Sequence, residues 1–314
     1  MKMNPLFFLI ILCSYSITFG QEQLDTVVAQ KGDGIFSILR KSGIHPVNYY
    51  VNFLELNKDA IKGASELVVG RKYILPDAPD SFKRMGTLIR VDENEEIPLF
   101  DTDLATMKKR DSTLNKTVYY LLYTSVDAQG NQDKMDKPLD DFTLNLSKDL
   151  MERGARVYVL EKGNIPLPKD STTEEIENTI ADFGELTSIV NKRYLKHNGA
   201  YQRVLMIRDL KQRKKGVSIA MHHYDKSADG HGLAVAFREL FKKNALGKVK
   251  ADQGISPFID APNVYLAKNL LPSLTIMDIN GEPNGIPIRS AKSSLPQLVA
   301  KGILQDHAAT NSAE

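Results

Sequence analysis

The chain has 314 residues, with 41 Lys and Arg against 39 Asp and Glu, and it contains one Cys. A formal net charge of +2 gives no electrostatic reason to expect a nucleic acid as partner. One Cys excludes a disulfide framework, a cysteine-rich zinc finger and an iron–sulfur site, so any metal site would draw on six His and the carboxylates. The length allows two domains.

The first twenty residues have the pattern of an export signal. Lys2 precedes the apolar run 6–13, and small and polar residues lead to Gly20. This is typical of a secretory signal peptide, and the run is too short to cross a bilayer, which needs about 20 residues. A lipoprotein signal would need a small residue before Cys13, where Leu12 stands. We therefore predict an exported chain without a membrane span, in the periplasm or envelope of a Gram-negative bacterium.

Residues 25–76 predict a compact strand–helix–helix–strand module. The β-rich run 25–30 is broken by a glycine-containing turn, in which Asp33 can cap the helix that follows. The second helix has an apolar stripe at the spacing i, i+3, i+4, i+7, formed by Val47, Tyr50, Val51 and Leu54. Gly70 then turns the chain into a closing strand that ends at Pro76.

This module resembles a LysM domain, which binds glycans that contain N-acetylglucosamine. The resemblance is carried by Val28, Gly32-Asp33, Ile38, Asn57, Leu67, Gly70 and Ile74-Leu75-Pro76. It implies a shallow groove between the strand-to-helix turn and the loop before the last strand. The implied glycan contacts are Gly32, Asp33, Gly34 and Ile35 on one side, and Asn57, Lys58, Asp59 and Ala60 on the other. The family usually has Thr or Ser in place of Gly34. The alternative is that Gly32, Asp33 and Asn57 are only turn and cap residues.

The rest of the chain predicts a linker and a second, larger domain. Residues 77–115 are polar, and we interpret them as a linker with one short strand, 87–91. Residues 116–305 alternate strands with helices, which predicts an α/β sandwich around a mostly parallel sheet, and 306–314 form a polar tail. The predicted strands are 118–123, 156–160, 204–207, 217–221 and 274–277, and the predicted helices are 140–153, 173–196, 230–244 and 294–304.

Five short segments of the larger domain, in this order and spacing, resemble zinc-dependent N-acetylmuramoyl-L-alanine amidases of the Bacteroidetes type. The segments are Val118–Leu122, Leu150–Tyr158, Tyr201-Gln202-Arg203, His222-His223 with Lys226-Ser227 after them, and Pro272-Ser273-Leu274. The resemblance covers about residues 115–305. That family cuts the amide bond between the glycan and the peptide of the bacterial wall. Together with a LysM module, it implies peptidoglycan glycan strands as the partner.

The family's chemistry needs three protein ligands on zinc, a water in the fourth position, and a Glu that moves the proton. At the four corresponding positions this sequence has Ser125, Lys137, His223 (less well His222) and Met277 (or Asp278). Only the third position keeps a metal-ligating residue. One imidazole does not hold zinc against water, and a lysine ammonium in place of the Glu ligand would repel the cation.

We therefore predict a peptidoglycan-binding protein whose larger domain has no catalytic residue and no cofactor, and serves for binding or scaffolding. An envelope protein or an active amidase is the kind of protein partner that this role would imply. The alternative is an active zinc amidase with displaced ligands, drawn from His223, Asp140 or Asp141, and Asp127. His231 is interpreted as capping or lining the helix that begins near Gly230. The sequence has no Gly-x-Ser-x-Gly motif, which would mark a serine nucleophile. Its one cysteine, Cys13, lies in the predicted signal peptide, so a cysteine nucleophile is not expected after cleavage.

Overall fold

The structure is a computed structural model that describes residues 25–61, 66–125, 141–162, 172–209, 218–244, 255–280 and 294–312. The chain divides into two compact units, a smaller one from Met1–Ile38 and Val47–Asp77 and a larger one from Leu39–Pro46 and Ala78–Glu314. The predicted signal peptide, Asp127, Lys137 and Asp140 lie outside the described residues.

The smaller unit contains two strands and two helices in the predicted order. They are β1 (Thr26–Val28), α1 (Ile35–Lys41), α2 (Pro46–Leu56) and β2 (Lys72–Ile74). β1 and β2 pair antiparallel, with Thr26 opposite Ile74. Three fully buried side chains, Ile38, Phe53 and Tyr73, form the centre of this unit, and the last two have ring centroids 6.1 Å apart. Apolar burial therefore holds two three-residue strands that would not be stable alone.

The larger unit is built on an eight-stranded sheet with the order β4-β3-β6-β5-β7-β10-β8-β9. All neighbouring pairs are parallel except β3–β4 and β8–β10. The predicted α/β class with a mostly parallel sheet is confirmed. The strands are β3 (Gly86–Arg90), β4 (Glu95–Pro98), β5 (Thr117–Ser125), β6 (Arg156–Glu161), β7 (Tyr201–Asp209), β8 (Ser218–His223), β9 (Ser256–Pro257) and β10 (Ser273–Asn280).

Helices cover both faces of the sheet, as a parallel sheet requires. One core contains side chains of α4, α6 and α8, and the opposite core contains side chains of α5 and α7. The helices of this unit are α3 (Phe82–Met85), α4 (Asp141–Glu152), α5 (Thr173–Lys196), α6 (Ala228–Asn244), α7 (Ala261–Asn269) and α8 (Leu295–Asn311), with a 3₁₀ turn at Thr102–Thr106. α6 and α8 approach closely because position 302 is Gly, where a Cβ would lie 2.3 Å from the Phe237 ring.

Two sequence interpretations need correction. The segment 77–115 is more than a linker, because β3 and β4 belong to the large sheet and β3 pairs in parallel with β6. Its Leu88 and Ile89 are both buried, one in each core, although the surrounding charged residues favour a solvated segment. The polar tail is also helical, since α8 continues to Asn311. The short helix α7 and the two-residue strand β9 have no counterpart among the predicted elements.

A neutral histidine lies where α5 ends. His197 Nε2 lies 2.7 Å from the hydroxyl of Tyr158. Burial, and then the positive charges of Arg156, Lys196 and Arg193, lower the pKa of His197 from 6.5 to about 4. A neutral ring therefore accepts the Tyr158 proton at Nε2 near pH 7.

This histidine should make the stability of the larger unit depend on pH. The unfolded chain binds a proton at residue 197 below about pH 6.5, while the folded chain resists protonation until about pH 4. The contribution of His197 to the free energy of unfolding is therefore complete above about pH 6.5 and is lost as the pH falls towards 4. We expect the midpoint of thermal unfolding to drop less between about pH 7.5 and pH 4.5 in His197→Gln than in the unchanged chain. Equal drops would contradict this assignment.

Candidate functional site

The turn between β1 and α1 is shaped by Asp33 and two glycines. Asp33 Oδ2 accepts a hydrogen bond from the backbone N–H of Gln30 at 2.9 Å, and Oδ1 accepts one from the Ser37 hydroxyl at 3.0 Å. Gly32 has φ +89°, a conformation that L side chains rarely adopt, and both Gly32 and Gly34 are exposed with open space where a Cβ would lie. This turn therefore presents bare backbone to solvent. Ile35, also expected to touch glycan, is 3% exposed and packs inward.

Asn57 has a structural role in the smaller unit. Its side chain is 3% exposed. Nδ2 donates to the carbonyls of Phe53 and Ile74, both at 2.8 Å, and Oδ1 accepts from the N–H of Ile74 at 2.7 Å. The side-chain amide thus joins the end of α2 to β2. Lys58 and Asp59 after it are exposed, and Ala60 is half-buried.

Replacement of Asn57 should loosen β2. Asn57→Ala removes three hydrogen bonds and leaves buried backbone groups unpaired, which costs about 2 kcal/mol, or about 30-fold in the local opening equilibrium. Hydrogen exchange of the β2 amides should accelerate by that factor. Lys58→Ala is the matched control, because an exposed neighbour should change stability by less than about 0.5 kcal/mol. Unchanged exchange in Asn57→Ala would contradict the structural role.

The positions that the amidase resemblance assigns to zinc do not converge. Ser125 is the last residue of β5 and shares a row of the sheet with Asp209 and Ile279. His223 pairs in register with Thr275 of β10, and Thr275 lies four residues before Ile279. His223 is therefore offset from Ser125 by four residues along the strands and by three strands across the sheet. At about 3.3 Å per residue and 4.8 Å per strand, the two Cα atoms are roughly 19 Å apart. Two residues whose Cα atoms lie this far apart could not both ligate one zinc ion.

The position of the general base is also unsuited to catalysis. Met277 is fully buried, and its neighbours in register are Ile207 and Met221. The next residue, Asp278, points to the opposite face of the sheet. Met277 is therefore a core residue.

His223 has a partner that the sequence does not reveal. Its Nδ1 lies 2.8 Å from the carbonyl of Tyr224, so Nδ1 carries the proton, and Nε2 lies 3.2 Å from Nδ1 of His231. This contact joins β8 to the start of α6, and the local sequence around His231 does not reveal it. No group of three or more His, Cys, Asp or Glu side chains in the described ranges could hold a metal ion. The residues found there do not fit the zinc site of the family.

A different polar cluster lies on the opposite face, and it links four strands. Arg208 binds Asp278 with two hydrogen bonds, Nε to Oδ1 at 2.5 Å and Nη2 to Oδ2 at 2.8 Å. His222 Nε2 lies 3.2 Å from Asp278 Oδ2, and its Nδ1 lies 2.7 Å from the Ser256 hydroxyl. We call these four residues the Ser–His–Asp–Arg cluster.

The charge state of this cluster follows from its contacts. Burial on its own would raise the pKa of the Asp278 carboxyl, but the hydrogen bond from His222 and the charge of Arg208 outweigh it and hold the pKa below its ordinary value. Asp278 is therefore ionised near pH 7. Sequence reasoning missed Ser256 and Arg208, because only strand pairing brings the four positions together.

Comparisons with known proteins find structural likeness without sequence similarity. No family model matches the chain, and no curated protein matches it in sequence. The catalytic domain of the endolysin CD27L, which targets Clostridia difficile, is 14% identical over 62% of this chain and 97% of its own, with a TM-score of 0.36.

Two amidases show a comparable likeness. The N-acetylmuramoyl-L-alanine amidase AmiC2 of Nostoc punctiforme is 12% identical over 63% of this chain and 98% of its own, with a TM-score of 0.36. The CwlD amidase from Clostridioides difficile, solved in complex with the GerS lipoprotein, is 14% identical over 64% and 100%, with a TM-score of 0.38. Such a likeness assigns no activity to this chain. None of the helices in the described ranges is both long and apolar enough to cross a membrane.

Proposed function

We propose that this chain is an exported envelope protein that binds the glycan strands of peptidoglycan through its smaller unit, a LysM-type module. The observation that carries the proposal is the exposed turn at Gly32-Asp33-Gly34, which sits on a strand–helix–helix–strand unit. In this proposal the larger unit does not carry out zinc-dependent amide hydrolysis, and it serves for binding or scaffolding in the envelope.

The turn suits a sugar ligand for a steric reason. Without side chains at Gly32 and Gly34, a glycan can approach the backbone closely and reach its N–H and C=O groups. The Asp33 carboxylate is held by Gln30 and Ser37, so the turn is already ordered before a ligand arrives. An ordered site loses little entropy on binding. The exposed Lys58 and Asp59 would form the other wall of the groove.

The absence of zinc chemistry is proposed from the residues at the family's catalytic positions. Ser125 and His223 lie too far apart for one ion, and Met277 is enclosed in the core. The Nδ1 proton of His223 is bound by a backbone carbonyl. A zinc-bound water would need three converging ligands and a carboxylate beside it.

Binding can be tested with oligomers of N-acetylglucosamine and isothermal titration calorimetry. We expect the full chain to bind them, and Gly34→Phe to weaken binding at least about tenfold, because a large side chain would fill the space above the turn. Asn48→Phe, at an exposed position of α2, is the control and should bind like the unchanged chain. A folded full chain that does not bind these oligomers would overturn the proposed glycan binding.

Zinc chemistry is tested separately by elemental analysis and by release of peptides from purified peptidoglycan. We expect far less than one zinc per chain and no peptide release, with or without added zinc, because the described residues provide no converging ligand set. About one zinc per chain together with cleavage that His223→Ala abolishes would instead support the active amidase.

A further inference from the structure

The Ser–His–Asp–Arg cluster fixes the position of one proton. Arg208 donates a hydrogen bond to each Asp278 oxygen, as it does to a carboxylate, and a carboxylate only accepts, so His222 must donate to Asp278 from Nε2. In a neutral imidazole the other nitrogen then carries a lone pair. That nitrogen, Nδ1, faces the Ser256 hydroxyl at 2.7 Å. The hydroxyl proton of Ser256 therefore points at a base.

The base, His222, is oriented by the Arg208–Asp278 pair. Arg208 donates to both oxygens of Asp278, and the side chains of these two residues are only 10% and 14% exposed. Bidentate pairing of this kind fixes the carboxylate plane as well as its position. Because β7, β10 and β8 are neighbours in one sheet, the three side chains also sit on a rigid backbone. His222 is thus oriented before any substrate arrives.

Ser256, at the end of this chain of contacts, is half-buried and lies on β9, the edge strand of the sheet among the described residues. β9 is tied in register to β8, with His222 opposite Ser256, and the N–H of Phe258 donates to the carbonyl of His223 at 2.9 Å. Serine and histidine are therefore held together by the backbone as well as by their side chains.

We propose that Ser256 is a nucleophile activated by His222, and that this site transfers acyl groups from carboxylic esters without a metal. Asp278 and Arg208 are positioning residues. A hydroxyl that bonds to a base, which is oriented in turn by a third group, is the arrangement that activates serine for attack on a carbonyl. This activity is separate from the glycan binding proposed for the smaller unit.

The reaction balances with water as the only co-reactant. Ser256 Oγ forms a bond to the ester carbonyl carbon while its proton moves to His222 Nδ1. The C–O bond to the alcohol breaks, and the alcohol leaves with that proton. A water then attacks the acyl-serine and gives its proton to Nδ1, the bond to Oγ breaks, and the proton returns to Ser256. Esters suit the site because an alcohol is a better leaving group than an amine, and His222 holds the one proton that the alcohol needs.

The main test uses an alkyl fluorophosphonate, which forms a covalent adduct with activated serines. We expect the full chain to gain one adduct by intact mass, and peptide mapping to place it on Ser256. Chelation with EDTA should not change the labelling rate. Ser256→Ala should abolish the adduct, while Ser312→Ala, which removes an exposed hydroxyl near the end of α8, should leave it unchanged.

Two further variants separate base catalysis from a structural role of the cluster. His222→Gln should label at least about 100-fold more slowly, since a general base contributes about that factor or more. Asp278→Asn should move the neutral His222 proton from Nε2 to Nδ1, which nitrogen-15 NMR of the imidazole reports. Thermal unfolding of each variant establishes that it is folded.

Three results would overturn the proposal. They are a folded full chain that forms no adduct, an adduct on another residue, and an unchanged labelling rate in folded His222→Gln. Hydrolysis of p-nitrophenyl acetate provides the matching turnover measurement, and it should disappear in Ser256→Ala. None of these results depends on whether the smaller unit binds glycan.

Discussion

The parallel hydrogen-bonded ladder of β6, β5, β7 and β10 is the constraint on which the larger unit depends. Helices cover both faces of this ladder, so nearly every side chain along it is buried, including Tyr120, Leu121, Val204 and Leu205. A buried polar group there costs free energy unless it finds a partner. Arg208 and Asp278 show how two such groups on neighbouring strands satisfy each other.

Sequence periodicity predicts the elements of this fold well where the local signals are strong. The range 173–196 is predicted for α5 and is observed unchanged. The cause is local, since Thr172 and Glu175 form a capping box in which each side chain binds the backbone N–H of the other residue. The strand β3 is predicted at 87–91 and observed at Gly86–Arg90, but its place in the large sheet is missed. Its few apolar residues lie inside a charged stretch, and it is stabilised by pairing with β6, about 70 residues later.

The candidate sites are harder to predict, because they depend on pairing and burial. The spacing of Asn57 is compatible with both a glycan contact and a structural residue, and its structural role becomes visible only in its bonds to Ile74. Ser256 follows no local motif. Its hydroxyl differs from other serine hydroxyls because the parallel register of β8 and β9 sets it opposite the His222 imidazole. A register is a property of two distant segments, so one segment cannot reveal it.

The adjacent histidines of β8 have a consequence for how histidine doublets are interpreted. Successive side chains of a strand point to opposite faces. His222 accordingly reaches Asp278 and Ser256, while His223 turns to His231 on the other side of the sheet. Two neighbours in a strand therefore cannot chelate one ion, and each imidazole has hydrogen-bond partners of its own. A doublet in a strand is two unrelated histidines, whereas the same spacing in a loop leaves both free to turn towards one ligand.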